Sequence, residues 1–414
     1  MNQKRLRIPG IRHLSADHVL RNRSVVGIGL GSLLSDTGHE MATAALPGYL
    51  RSIGASAAAL GASEGAADAS LSAATAVGGV LADRPGVDRR EVTAGGYVIT
   101  ALGHGAFALA NTWPFVAVAH GVSWIARGGK APARDSLLSG AVPEAQLGRA
   151  FGVERTMDSL GALIGPLLAA PLIVTIGYRW LFGISLIPGL FAALAVLTLV
   201  AETPRIQRAT RQVTGAMRDL LNTPGQYRRL LAGIGLYGIG NFSATLLILR
   251  ATDLLHDAGR STTDAVVIAV LLYALHNAAN SVAAYPAGAL ADRLGRRAVL
   301  IAGIVLFALA CVAFIPASPN IAVLGVLFAA VGASTGMVET AQGSYAAELL
   351  EPSVRGRGFG LLGLVEGVGD LTSSVVVGTL WTITNPAWGF VFAALLAAVG
   401  ALLLIPRPTR SGHR

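Results

Sequence analysis

The chain is 414 residues long, 53% of them hydrophobic and 13% charged, with a mean hydropathy of +0.59 and a formal net charge of +9. Soluble domains carry about a quarter charged residues, so a cytosolic enzyme, a disordered chain and a large soluble domain are excluded. Cys311 is the one cysteine, which rules out an internal disulfide framework or cysteine metal cluster, and the 51 glycines show no collagen period.

The segment 1–23 holds Lys4, Arg5, Arg7, Arg12, Arg21 and Arg23, which break any apolar run. It reads as a basic cytoplasmic tail rather than a secretory signal. Apolar runs long enough to span a bilayer, about 20 residues each, follow at 24–50, 57–82, 92–111, 114–141, 149–176, 179–201, 227–254, 264–291, 298–316, 320–350, 356–384 and 387–406. This pattern predicts an all-α integral membrane protein with twelve transmembrane helices in two pseudo-symmetric six-helix bundles, 24–201 and 227–406. A cytoplasmic linker, 202–226, joins them, and a short cytoplasmic tail, 407–414, follows.

The loops alternate in charge. One side collects Arg84, Arg89 and Arg90, then the linker arginines Arg205, Arg208, Arg211 and Arg218, then Arg293, Arg296, Arg297, Arg355 and Arg357. The other offers Arg51, Arg179 and Arg260. Positive loops stay inside, so both termini are expected in the cytoplasm and the protein in the plasma (inner) membrane. The basic excess, which would suggest nucleic acid in a soluble protein, is accounted for by topology.

The two halves repeat. Gly79-Val-Leu-Ala-Asp83-Arg84 recurs as Gly288-Ala-Leu-Ala-Asp292-Arg293, at an offset of 209, and Gly148-Arg149-Ala-Phe151-Gly152 recurs as Gly356-Arg357-Gly-Phe359-Gly360, at an offset of 208. Related halves with a site between them are a common transporter architecture. The segment from Gly288 to Arg297 resembles the loop motif of the major facilitator superfamily, and the first copy departs by inserting Pro85-Gly86-Val-Asp88 before Arg89-Arg90. In the fifth span, Gly161-Ala-Leu-Ile-Gly165-Pro166-Leu-Leu-Ala169-Ala170 looks like the antiporter motif of drug-exporting members, with two alanines where that motif ends in glycines. In the fourth, Arg127-Gly128 resembles the family's buried arginine, linked with proton coupling. The resemblance implies two bundles rocking about a central cavity, a small-molecule substrate, proton coupling, no cofactor and a monomer. It also implies a cytoplasmic gate of Gly79, Asp83, Arg84, Gly288, Asp292, Arg293 and Arg297. A carboxylate at a helix end there can take hydrogen bonds from a neighbouring helix N-terminus and pair with arginine.

Ionisable residues inside spans cost about 2.5–3.5 kcal/mol each on insertion scales and usually mark function. Asp36/Glu40, Glu64/Asp68 and Glu366/Asp370 are i, i+4 pairs, and Arg127, Lys130 and Arg134 make one cationic stripe. Asp158 and Glu366 occupy equivalent positions in the two halves. Asp36, Glu40, Glu64, Asp68, Arg127, Asp158 and Glu366 are therefore the candidate proton-coupling residues. Lys130, Asn241, Tyr273, His276, Asn277 and Asp370 are candidate substrate contacts. His104 and His120 read as isolated structural residues.

Proton-coupled efflux is the first expectation. Proton-coupled uptake of an organic anion or sugar stands second, on the strength of the helix-four cations, and metal export third, since the acids and His39 define no coordination geometry. The Gly367-Val-Gly369-Asp370 match to intramembrane aspartyl proteases lacks its partner: none of the eight tyrosines precedes an aspartate. No Gly-x4-Gly-Lys-Ser/Thr phosphate loop is present. The protein is expected to be neither an enzyme nor an ATP-driven pump by itself.

Overall fold

The computed structural model describes residues 20–82, 86–143, 146–202, 225–350 and 355–405. Among them the chain is all-helical: α1 (Arg23–Ser52), α2 (Ala57–Ala82), α3 (Arg89–Gly105, continued by a 3-10 turn at Ala106–Leu109), α4 (Trp113–Gly140), α5 (Leu147–Thr175), α6 (Gly177–Leu199), α7 (Gly225–Gly240), α8 (Ala244–Asp257), α9 (Thr262–Leu294), α10 (Arg296–Phe314), α11 (Ile321–Leu349), α12 (Arg355–Ile383) and α13 (Pro386–Leu404). The ends lie within about a turn of the expected ones, with one exception. The seventh apolar run, 227–254, is not one helix but two, broken at Asn241-Phe242-Ser243.

Local chemistry sets the ends. Asn22 caps α1 by accepting from the backbone N–H groups of Ser24 and Val25, and Asp88, Ser261, Asn320 and Asn385 cap α3, α9, α11 and α13 in the same way. Proline opens α13 at its first position, where its missing N–H costs nothing.

Nine helical stretches among the described residues are long and apolar enough to cross a membrane; one of them is the broken pair Gly225–Asp257 taken together. The long helices α1, α2 and α4 are not among them. These carry Asp36, Glu40, Glu64, Asp68, Arg127, Lys130 and Arg134.

In the first half α1 packs on α5 and α6, α2 on α4, and α3 on α4 and α6. The same pairings recur in the second half: α7 on α12 and α13, α9 on α11, and α10 on α11 and α13. The halves meet through α2 with α12 and α5 with α9, again equivalent pairs. The face where α1 begins and α13 ends is called here the terminal face. At the opposite face Arg51 of α1 forms an ion pair with Asp253 of α8, and the Ala58 N–H donates to Thr382 Oγ1 at 2.9 Å. On the terminal side the described ends of α2 and α12 are apart: a Cβ placed on Gly79 or on Gly363 would meet nothing within 4 Å. The halves are thus joined at the opposite face, and nearer the terminal face Arg155 of α5 stands 3.9 Å from Glu339 of α11 across them.

Candidate functional site

A cavity of about 240 Å³ lies at the middle of the helices, between the two halves. α1 contributes His39, Glu40 and Thr43, α2 contributes Glu64 and Asp68, and α4 contributes Trp124. Across from them stand Asn241, Phe242 and Ser243 from the break between α7 and α8, Tyr273 and His276 from α9, Phe307 from α10, Thr335 from α11 and Asp370 from α12. The α7–α8 break is what admits three of these. It frees backbone and starts α8 at the cavity wall, the kind of discontinuous helix that transporters use at mid-membrane sites.

Two carboxylates bridge the halves. Tyr273 donates its hydroxyl to Glu40 Oε2 at 2.9 Å, and Ser243 donates to Glu64 Oε2 at 3.0 Å. Ser243 is also the N-cap of α8, so Glu64 sits at a helix N-terminus, where the macrodipole favours a negative charge. The other oxygen, Glu64 Oε1, is buried with no hydrogen-bond partner among the described residues, as is Thr43 Oγ1. Asp68 and Asp370 approach from α2 and α12, near enough to interact electrostatically.

One turn from Glu40 toward the terminal face, Arg127 of α4 donates to Asp36 of α1 at 2.5 Å, with Asp158 of α5 beside Asp36 and Arg155 at 3.7 Å from Asp158. A further turn on, Arg134 pairs with Glu154 at 2.7 Å, and Ser32 donates to the same carboxylate at 2.9 Å. The α5 motif explains the closeness of this ladder. A Cβ on Gly161 would lie 3.0 Å from Asp36 Cβ, and one on Gly165 would lie 2.6 Å from Glu40 Cβ, so only glycine lets α5 press onto the acidic face of α1.

Lys130, in the same cationic stripe as Arg127 and Arg134, is the one of the three expected to contact substrate. Its ammonium instead lies 4.4 Å over the Tyr97 ring, in the interior between α3 and α4 and off the cavity wall. A three-residue step along a helix leaves the side chain about a sixth of a turn from Arg127, enough to carry it from α1 to α3. Asn277 is not in the cavity wall: its side-chain amide donates to the Ala162 carbonyl of α5 at 2.9 Å, and its Oδ1 lies 3.1 Å from His276 Nδ1, from which it can accept. Glu366, the counterpart of Asp158, receives a hydrogen bond from Gln342 and does not line the cavity.

His104 and His120, read as isolated, are joined. His39 Nδ1 lies 3.3 Å from His104 Nε2, the His104 and His120 rings stand 5.9 Å apart, and Trp124 Nε1 donates to His120 Nε2 at 2.6 Å. The row runs from the cavity wall into the first half, with His104 and His120 both buried. No group of metal-ligating side chains able to hold an ion is found among the described residues.

Of the expected gate, Asp83 and Arg84 lie outside the described residues. Gly79 makes no close approach in this conformation, and the space beside Gly288 ends in an ordinary contact with Thr340 at 3.5 Å. Asp292 and Arg293 are exposed at the end of α9, and Arg297 donates to the Leu404 carbonyl at the end of α13.

The sequence reading missed Glu154, Thr43, Trp124, Phe242, Phe307 and the histidine row. Glu154 carried a usable signal, since Glu154 and Asp158 show the i, i+4 spacing that singled out the other acids. The aromatic and hydroxyl residues carried none, because such residues are common on any buried helix face.

A sequence profile of the Major Facilitator Superfamily matches residues 28–275 and 259–414. An uncharacterized MFS-type transporter of Methanocaldococcus jannaschii is 25% identical over 385 residues, covering 93% of this chain and 94% of that one. Among solved structures, a mutant of the nucleoside transporter NupG superposes with a TM-score of 0.79 at 16% identity, over 92% of this chain and 98% of that one. A D-xylose-proton symporter superposes with a TM-score of 0.71 at 16% identity, over 94% and 97%.

Proposed function

This chain belongs to the Major Facilitator Superfamily, a transporter and not an enzyme, and on that premise we propose that it exports a small molecule from the cytoplasm in exchange for protons. In this reading α1, α2 and α4 cross the membrane with the nine apolar stretches, giving twelve spans in two six-helix bundles. The monomer sits in the plasma membrane with both termini cytoplasmic.

One observation carries the reading: a mid-helix cavity shared by both halves and walled by Glu40, Glu64, Asp68 and Asp370. Carboxylates in such a place can exchange protons with whichever side the cavity faces, and a conformational change that alters their partners alters their proton affinity. The Asp36–Arg127 pair, a turn away, is a second element whose partners can change when α1 and α4 move. The terminal face carries Arg89, Arg90, Arg228, Arg229, Arg296 and Arg297, against Arg51, Arg179 and Arg260 opposite, and positive-inside makes it the cytoplasmic side. One feature favours export. The antiporter-like segment of α5 is also the one whose glycines press on Asp36 and Glu40. The helix-four cations that favoured an organic anion are engaged elsewhere, with Asp36, Tyr97 and Glu154.

The test is transport in everted membrane vesicles with a compound panel under an imposed pH gradient, reading both substrate and proton flux. Substrate uptake into the vesicles, coupled to proton efflux, is the expected result. Accumulation that ignores the pH gradient removes the coupling, and accumulation only in right-side-out vesicles removes the direction.

A further inference from the structure

The wall of the central cavity is chemically one-sided. Glu40, Glu64 and Asp68 come from the first half and Asp370 from the second, and no lysine or arginine is among the residues that line it. Arg127 is held on Asp36 and Lys130 lies over Tyr97, so neither supplies the missing positive charge to the wall. The hydroxyls that donate to Glu40 and Glu64, from Tyr273 and Ser243, are neutral, and the His39 ring stands 4.0 Å from Glu40.

Two of the lining residues each hold a buried polar atom without a partner among the described residues. Glu64 is 3% exposed and its Oε1 has no donor; Thr43 is 8% exposed and its Oγ1 has neither donor nor acceptor among the described residues. Leaving a buried polar group unsatisfied costs about 1–3 kcal/mol, and more for a charged one. The remaining wall is aromatic, with Trp124, Phe242 and Phe307, and aromatic faces attract cations. An occupant that completes this wall brings N–H donors, a positive charge and an apolar body. At about 240 Å³ the space falls below the roughly 300–1,000 Å³ of drug-sized sites, which sets the occupant at metabolite size.

We propose that this cavity binds a small organic cation, a protonated amine of metabolite size, with its charge balanced by the lining carboxylates Glu64, Asp68 and Asp370. This names the substrate class of the site on which the transport reading rests. It also supplies the exchange logic: the carboxylates hold either the cation or protons, so loading one releases the other.

The experiment is calorimetric titration of the purified full chain in detergent with three compounds of nearly equal size: 2-phenylethylamine, 2-phenylethanol and phenylacetate. The amine is expected to bind about tenfold or more tightly than the alcohol, with phenylacetate weakest, because a hydrogen bond to a charged group is worth about 1.5–3 kcal/mol and 1.4 kcal/mol is a factor of ten. Glu64→Gln and Asp370→Asn, one in each half, should each weaken amine binding about tenfold and narrow the gap between amine and alcohol. Equal or tighter binding of the alcohol or of phenylacetate overturns the proposal, as does no heat from the amine at millimolar concentration. Flux of the same amine in proteoliposomes separates the two readings. Amine binding without flux keeps the cation site and refutes transport, whereas flux of other compounds without amine binding keeps transport and refutes the cation site.

Discussion

Arg127 on α4 and Asp36 on α1, 91 residues apart in sequence, are joined at 2.5 Å in the interior of the first half, one turn from the central cavity. Removing one partner of a buried pair leaves an uncompensated charge and costs about 3–5 kcal/mol. Arg127→Met is therefore expected to lower the thermal unfolding temperature of the detergent-solubilised protein, and Asp36→Asn in the same background to recover most of the loss. A double variant no more stable than Arg127→Met would show that the pair is not the source of the effect.

Asp68 is the favoured coupling residue, since it lines the cavity and Glu64 shares its helix face. Asp68→Asn should abolish accumulation driven by a pH gradient while leaving substrate exchange at equal pH measurable. Normal gradient-driven transport in both Asp68→Asn and Glu64→Gln would assign the α2 acids a structural role and turn attention to Asp158.

At the opposite face, the Arg51–Asp253 ion pair ties the halves together, with both side chains partly exposed. Exposed and half-exposed pairs are worth up to about 1 kcal/mol, so Asp253→Asn should shift the balance of conformations by up to about fivefold. The readout is labelling of Thr43→Cys from the opposite side in a Cys311→Ala background, which should quicken. Restoration of slow labelling in Arg51→Asp/Asp253→Arg would attribute the shift to the pair, and an unchanged rate in Asp253→Asn would dismiss it as a latch.

The charge of the loops predicts their side. Reporter cysteines at Ser139 and Asn222, in the Cys311→Ala background, should react only from the cytoplasm, and one at Ser318 only from outside. Labelling of Asn222 from outside would invert the topology.

Asp88 stands before α3, outside the membrane-spanning stretch, and caps it through the N–H groups of Arg90 and Glu91. Burial pushes its carboxyl up, but the hydrogen bonds from Arg90 outweigh burial and hold it below the ordinary carboxylate range. A depressed acid stabilises the fold above its unfolded-state value, and that contribution fades as pH falls through the folded-state value. Asp88→Ala should thus cost about 0.5–2 kcal/mol at neutral pH and progressively less on acidification, as read by thermal unfolding across pH. A deficit independent of pH would argue against the carboxylate as its source.

The sequence by itself determined the helices and much of the chemistry. Long apolar runs have no other way to satisfy their backbone in lipid than as helix, so the segments were legible from composition alone. The i, i+4 acid pairs placed Glu40, Glu64, Asp68 and Asp370 on definite faces, and the repeat placed equivalent elements in both halves. What only the tertiary structure decided is which of those faces meet. Arg127 and Lys130 stand three residues apart, yet one reaches Asp36 on α1 and the other the Tyr97 ring on α3. His39, His104 and His120 come together from three helices with no spacing to announce it. The break at Asn241-Phe242-Ser243 falls inside a run long enough to read as one span, and it brings Ser243 to Glu64. Helical periodicity fixes where a side chain lies on its own cylinder. The rotation of each cylinder and its distance from the next are set by packing, as where Gly161 and Gly165 let α5 settle on α1; pairing of buried charges follows from that packing.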